Sequence, residues 1–170
     1  MALFRDDRRI RREKHGDGFE IRLPDMEREL LASLPTELVE LLDQSVGDPN
    51  AMEDDPGLAR LFPDAYTAVD TGFNEEYRRL MTDDLRDRHR LSLETLAAGA
   101  TATRIDAAEL HAWMTALNQL RLVLGTRLEV TEDLDLRDIA EDHPQAGAYA
   151  LYSYFRWLQE QAVEALSSTL

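Results

Sequence analysis

The stretch from Asp106 to Val130 constrains the fold more than any other part of the chain. Asp106 followed by Glu109 forms a capping-box pattern, which predicts that a helix begins there. Gly125 predicts that this helix ends at a glycine in the left-handed conformation. Between these ends, apolar residues recur at i, i+3, i+4 and i+7, as in an amphipathic helix. They are Leu110, Trp113, Met114, Leu117, Leu120 and Leu124. A helix with this dense an apolar stripe must pack against other helices.

One charged side chain, Arg121, falls within this apolar stripe. An arginine taken from water costs several kcal/mol unless it is paired, so Arg121 should meet a carboxylate or a bound anion. Asp84 and Arg88 project into the apolar face of another predicted helix, and Asn118 lies beside the stripe. We therefore expect Arg121, Asn118, Asp84 and Arg88 to form a structural motif, in which Asp84 or another acid pairs with Arg121, or an anion-binding site.

Helical periodicity predicts three further helices. The first covers residues 24–43 and is kinked or divided at Pro35. The second begins after the N-cap Asn74 and ends near Ala98. We expect its buried face to consist of Tyr77, Leu80, Met81, Leu85 and Leu91. The third helix begins at Pro144. The fold class is therefore predicted as mainly α.

The remaining segments complete a single predicted domain over residues 1–170. Alternating apolar residues on either side of Gly16-Asp17-Gly18 predict a small N-terminal β-hairpin, joined by a third short strand near 127–130. Residues 1–14 are expected to form a basic arm, 45–57 an exposed loop, and 131–143 an acidic connector.

The last predicted helix is apolar around most of its circumference. Aromatic side chains lie outside the sector of this helix that would face a single core, namely Tyr152, Tyr154 and Trp157. A helix of this kind is either central or covered by a partner. These three residues are our candidate interface for a homodimer.

The composition excludes several kinds of chemistry. The chain has no cysteine, so a thiol nucleophile, a zinc–thiolate site and a disulfide are all excluded. Its four histidines lack metal-ligand spacing, and no phosphate-cradling glycine loop or nucleophile elbow is present. We therefore expect no enzyme activity, no metal and no cofactor.

The charge balance limits the expected partners. A net charge of −15 repels nucleic acid over most of the surface. Residues 1–14 are the exception, since they hold six basic and three acidic side chains, so nucleic acid could be bound only there. No apolar run approaches the roughly 18 residues that would cross a bilayer. We expect a cytoplasmic protein with a protein partner and no membrane contact.

Three segments in the same order carry a family resemblance. They are DDPGLARLFPDAY, HAWMTALNQLRLVLGTRLEV and DHPQAGAYALYSYFRWLQEQAVEAL. Over almost its whole length the chain resembles an actinobacterial domain-of-unknown-function family, the one numbered two thousand and seventeen. The central family pattern is matched by Ala116, Leu117, Asn118, Leu120, Arg121, Leu122, Leu124 and Gly125.

The resemblance implies a cytosolic regulatory role. Genes of this family typically lie beside that of the ClpS adaptor, and some members are described as transcriptional regulators, including in oxidative-stress responses. Thiol-based sensing does not transfer, because this chain has no cysteine. The expected function is a non-catalytic protein-binding module in transcriptional or stress regulation or in Clp-linked proteolysis. The alternatives are a DNA-binding regulator that uses residues 1–14, and a small-anion sensor or enzyme that uses Arg121.

Overall fold

Long helices dominate the part of the chain that the computed structural model describes, residues 7–63 and 75–168. In chain order the helices are α1 (Asp25–Gln44), α2 (Ala51–Asp54), α3 (Pro56–Ala59), α4 (Glu75–Gly99), α5 (Ala107–Arg127) and α6 (Ala146–Ser167). The helix α5 is central, since it packs against α1, α3, α4 and α6. The prediction of a mainly α fold built around this segment is confirmed.

A three-stranded antiparallel sheet closes one side of the core. Its strands are β1 (Ile10–Arg12), β2 (Phe19–Ile21) and β3 (Arg104–Ile105), in the spatial order β1-β2-β3. Period-two alternation directs one set of side chains into the core. That set is Ile10, Phe19, Ile21 and Ile105, all buried. The predicted hairpin is confirmed.

The third strand exists, but its predicted position at 127–130 is wrong. Residues 104–105 supply it, and the Ile21 N–H also donates to the Thr103 carbonyl oxygen at 2.9 Å. The turn that brings this segment back is held by Arg28, which donates to the carbonyl oxygens of Ala100 and Ala102 at 2.8 and 3.0 Å. A distant arginine therefore fixes the path from α4 into the sheet.

The start of α5 agrees with the sequence pattern, whereas its predicted stop is wrong. The Asp106 carboxylate accepts from the Glu109 N–H and the Asp106 N–H donates to the Glu109 carboxylate, both at 2.8 Å. Gly125 remains helical, and the left-handed turn is made by Glu129 at φ 54. A Cβ on Gly125 would lie 2.8 Å from the Tyr152 ring. The glycine therefore permits close packing of α6, and the helix continues through Arg127.

Two other predicted segments are corrected. Pro35 is buried within the single helix α1, so the helix is not divided there, and the alternative of a kink at Pro35 stays a prediction. The predicted exposed loop at 45–57 includes α2 and the start of α3, in which Gly57 and Leu58 are buried. A Cβ on Gly57 would lie 3.0 Å from the Val123 carbonyl oxygen, so α3 rests directly on α5. The acidic connector 131–143 is mostly exposed and includes one short 3₁₀ turn, Leu136–Asp138.

Candidate functional site

The face of α4 that the sequence predicted to be buried is largely exposed. Tyr77, Leu80, Met81 and Leu91 are 45%, 63%, 50% and 67% exposed, and Leu85 is half-buried. The predicted N-cap, Asn74, lies outside the described residues. We name the exposed set Tyr77, Leu80, Met81 and Leu91 the α4 face. At about 100° per residue these positions fall within one sector of the helix.

The helix instead buries a face that hydrophobic periodicity does not reveal. Its buried residues are Arg86, Ser92, Leu93, Leu96 and Gly99. This side is selected by α1 and α5, which pack against it. Two of its members, Arg86 and Ser92, are polar, so the pattern of apolar residues favoured a different sector of the helix.

An ion pair lies in the middle of the α4 face. The Arg88 guanidinium binds the Asp84 carboxylate one turn away, and both side chains are exposed. The prediction that Asp84 pairs with Arg121 is therefore wrong. An exposed i,i+4 ion pair contributes only about 0.3–0.5 kcal/mol to stability. Its main effect is to place two charged groups within the apolar α4 face.

Arg121 lies at the edge of the core and not inside it. The residue is half-buried, and its Nη2 donates to the Asn118 side-chain oxygen at 3.1 Å. Within residues 7–63 and 75–168, no carboxylate forms a salt bridge with it. The buried face of α5 is centred on Ala116, Leu120 and Val123, which leaves Arg121 at the rim. The predicted buried ion pair is wrong, and anion binding at Arg121 stays a prediction.

Among the described residues the buried arginine is Arg86, which was not among the predicted site residues. It is 8% exposed, its guanidinium lies 5.7 Å from the Phe62 ring centroid, and Nη1 donates to Asp83 at 2.6 Å. Arg86 lies two helical turns before Leu93 on the same side of α4, which was the available signal, but a different side of the helix was predicted to be buried.

A second polar group is enclosed between α4 and α5. The ring nitrogen Nε2 of His89 lies 2.7 Å from the Leu61 carbonyl oxygen, and Nδ1 lies 2.7 Å from Gln119 Nε2. The neutral ring that donates through Nε2 and accepts at Nδ1 satisfies both contacts. Burial lowers the pKa of His89 below its ordinary value, which outweighs the opposing hydrogen bond to Leu61. His89 is therefore a partly buried histidine whose neutral form is favoured by the fold.

The three residues predicted to form a dimer interface all make contacts inside the chain. The Tyr154 hydroxyl donates to the Glu27 carboxylate at 2.9 Å, and burial together with this bond raises the pKa of Tyr154. The Arg9 guanidinium lies 5.5 Å from the Trp157 ring centroid, and the Tyr152 ring covers Gly125. These contacts account for the aromatic circumference of α6, and the homodimer stays a prediction.

The described part of the basic N-terminal segment is not a free arm. Residues 1–6 lie outside the described residues, and 10–12 form β1. The Arg9 side chain binds Glu27 at 3.0 Å, and its backbone N–H donates to Gln161 at 2.6 Å. The segment is anchored because Ile10 belongs to the core, which a charge count does not show.

The described residues offer neither a metal-binding cluster nor a membrane-spanning helix. Across the described ranges, no three His, Asp or Glu side chains converge closely enough to hold a metal ion. In the same ranges, no helix combines the length and the apolar content that crossing a bilayer requires.

These features define a mainly helical protein with a small N-terminal sheet and an exposed apolar helix face. The chain belongs to the family described as Domain of unknown function (DUF2017), whose model matches residues 7–166. This confirms the family resemblance that the sequence motifs indicated.

Two named relatives illustrate the similarity. The putative oxidative stress regulator AosR of Mycobacterium leprae (strain TN) is 32% identical over 133 residues, which cover 68% of this chain and 60% of the relative. The oxidative stress regulator AosR of Mycobacterium tuberculosis (strain ATCC 25618 / H37Rv) is 32% identical over 128 residues, which cover 66% of this chain and 58% of the relative. The match thus spans about six-tenths of the curated relatives' length. No solved structure matches the chain.

Proposed function

We propose that this chain is a non-catalytic, cytosolic regulatory module in the stress response and that it binds another protein through the α4 face. The observation that carries the proposal is the exposure of Leu80, Met81 and Leu91 on one side of a long helix. The names of the relatives, which are oxidative stress regulators, support a regulatory role. Because the chain has no cysteine, it cannot sense an oxidant through a thiol group of its own.

The arrangement of the α4 face favours an apolar groove as the partner surface. Single exposed leucines are ordinary on protein surfaces, but several in one sector of a helix suit the helix-in-groove mode of recognition. Full burial of a leucine contributes about 2 kcal/mol, so removal of the exposed parts of Leu80 and Leu91 from water contributes roughly 1 kcal/mol each. The Asp84–Arg88 pair would add a polar point that fixes the register of the partner.

The test is a binding assay with the double variant Leu80→Glu/Leu91→Glu. Two carboxylates in an apolar groove should weaken binding at least about 10-fold. The variant loses the burial of two leucine side chains, and it must also remove two charged groups from water. Met26→Glu is the matched control, because Met26 is 78% exposed on α1 and lies outside the α4 face. Circular dichroism checks that all three proteins fold alike.

The partner classes are an RNA polymerase sigma factor and components of the Clp protease, each offered in purified form to the immobilised chain. Binding by the parent and by Met26→Glu, together with loss in the double variant, supports the proposal and identifies the partner class. The proposal fails if neither class binds the parent, or if the double variant binds as tightly as the control.

A further inference from the structure

A basic cleft lies on the sheet, where it is formed by segments that are far apart in the sequence. Its cationic lining consists of Arg11, Arg12, Lys14, Arg22 and Arg104, with His15 beside them. The cavity volume is about 610 Å³, within the range of roughly 300–1,000 Å³ that small ligands occupy. The cleft joins part of the predicted basic arm, residues 1–14, with positions 22 and 104, which the sequence pattern did not connect.

The charge of this cleft is opposite to that of the protein. The five cationic side chains outnumber the two lining carboxylates, Glu13 and Glu20, in a chain whose net charge is −15. The antiparallel register places Arg11 opposite Glu20 and Glu20 opposite Arg104 across the three strands. A local positive field of this kind attracts anions to one place on an otherwise repulsive surface.

Two of the cationic side chains of the cleft, Arg22 and Arg104, are held in internal ion pairs. Glu20 binds Arg22 and Glu13 binds Arg104, each at 2.7 Å. Neither Arg12 nor Lys14 forms a salt bridge with another residue of 7–63 or 75–168. Arginine forks and lysine ammonium groups are the side chains that bind phosphate oxygens most effectively.

The residues that line the cleft also indicate which class of anion it would bind. Of the described residues that line the cleft, none is Phe, Tyr, Trp or aliphatic, so the lining offers no apolar surface for a peptide side chain. Duplex DNA covers roughly 1,000 Å² or more of protein surface, whereas a chain with a net charge of −15 repels so large a polyanion outside the cleft. From size and charge together we infer that the cleft binds a compact oligophosphate anion, whether free or as the phosphate chain of a nucleotide. This site is separate from the α4 face and does not depend on the proposed function.

The experiment is calorimetric titration of the full chain with tripolyphosphate, ATP and AMP at 50 and 200 mM NaCl. We expect tripolyphosphate to bind with a submillimolar Kd at the lower salt, more weakly at the higher salt, and AMP to bind weakly or not at all. Equal binding of ATP assigns recognition to the phosphate chain alone, and tighter binding of ATP assigns it to a nucleotide. Both results support the inference.

Matched variants connect the binding to the cleft. Arg12→Gln/Lys14→Gln should lose at least about 10-fold in affinity, because two charge-assisted contacts to phosphate are removed. Arg137→Gln/Arg156→Gln changes the net charge equally but outside the cleft, and should change the affinity less than about 2-fold. Glu20→Gln should tighten binding, which gives a positive result that misfolding cannot imitate.

Three results would overturn the inference. They are no detectable tripolyphosphate binding up to millimolar concentration, an equal loss in the Arg137/Arg156 control, and tighter binding of a short DNA duplex than of tripolyphosphate. The last result would make the sheet a nucleic-acid surface.

Discussion

Replacement of Gly99 by alanine tests how α4 is seated on the central helix. Gly99 is the last residue of α4 and is buried. A Cβ at this position would lie 2.8 Å from Trp113 Nε1 and 3.0 Å from Cζ2. Trp113 is itself 0% exposed, so its ring has no open space into which it could move. The new methyl group must displace a helix or a rigid aromatic ring.

Two opposing effects set the expected change in unfolding free energy of Gly99→Ala. Overpacking of a close-packed core costs about 1–3 kcal/mol. Alanine is favoured over glycine inside a helix by about 1 kcal/mol, and by less at the final residue. The net loss should therefore be about 1–2 kcal/mol of unfolding free energy. For a domain of this size each kcal/mol corresponds to about 2–4 °C in Tm.

The assay is urea unfolding followed by circular dichroism, and the chain supplies a matched control. Gly147 also lies in a helix, α6, but a Cβ there would have no heavy atom within 4 Å. Gly147→Ala should therefore be neutral or stabilising by up to about 1 kcal/mol. Combination of Gly99→Ala with Trp113→Phe should cost less than the sum of the single changes, because the smaller ring removes the contacting atoms.

The reasoning is refuted if Gly99→Ala is as stable as the parent protein, or if Gly147→Ala loses as much as Gly99→Ala. Exact additivity of the two changes at Gly99 and Trp113 would also refute it, since it would mean that the two positions do not contact each other.

Three further predictions concern the cap of α5 and two titrating groups. Asp106→Ala should cost about 1 kcal/mol in urea unfolding, because the capping box of α5 is lost. The stability of the parent should fall as the pH drops below 6.5, the ordinary pKa of histidine, because the folded protein favours neutral His89 and unfolding takes up a proton. Urea midpoints at pH 7.5 and 5.5 should show this drop in the exposed-site control His111→Gln but less of it in His89→Gln. Burial raises the pKa of Asp55, but hydrogen bonds from Arg127 and the α3 backbone outweigh burial and hold this pKa below 3.8. The stability that ionised Asp55 contributes should therefore be lost as the pH falls below 3.8. At pH 7, Asp55→Ala should lower the free energy of unfolding more than Arg127→Gln, because Arg127→Gln leaves the hydrogen bonds between Asp55 and the α3 backbone in place.

Signals that depend on neighbours a few positions apart were predictable from the sequence alone. The capping box at Asp106 and the alternation around the Gly16–Gly18 turn each need only a short stretch of chain, and both elements formed where expected. The motif that includes Asn118 and Arg121 indicated the family together with two other segments. It was not sufficient to place Arg121, because a helical wheel gives angles between side chains and not the direction of the core.

The tertiary structure decided which surface each element buries. The helix α4 carries apolar residues on two sides, and only the packing of α1 and α5 selects the side with Leu93 and Leu96 and leaves Leu80 and Leu91 in solvent. The basic cleft likewise requires Arg104 to pair with the sheet after a path of some 80 residues. Burial and long-range charge depend on contacts between distant segments. The sequence therefore determined the elements and the family, whereas the fold determined both candidate binding surfaces.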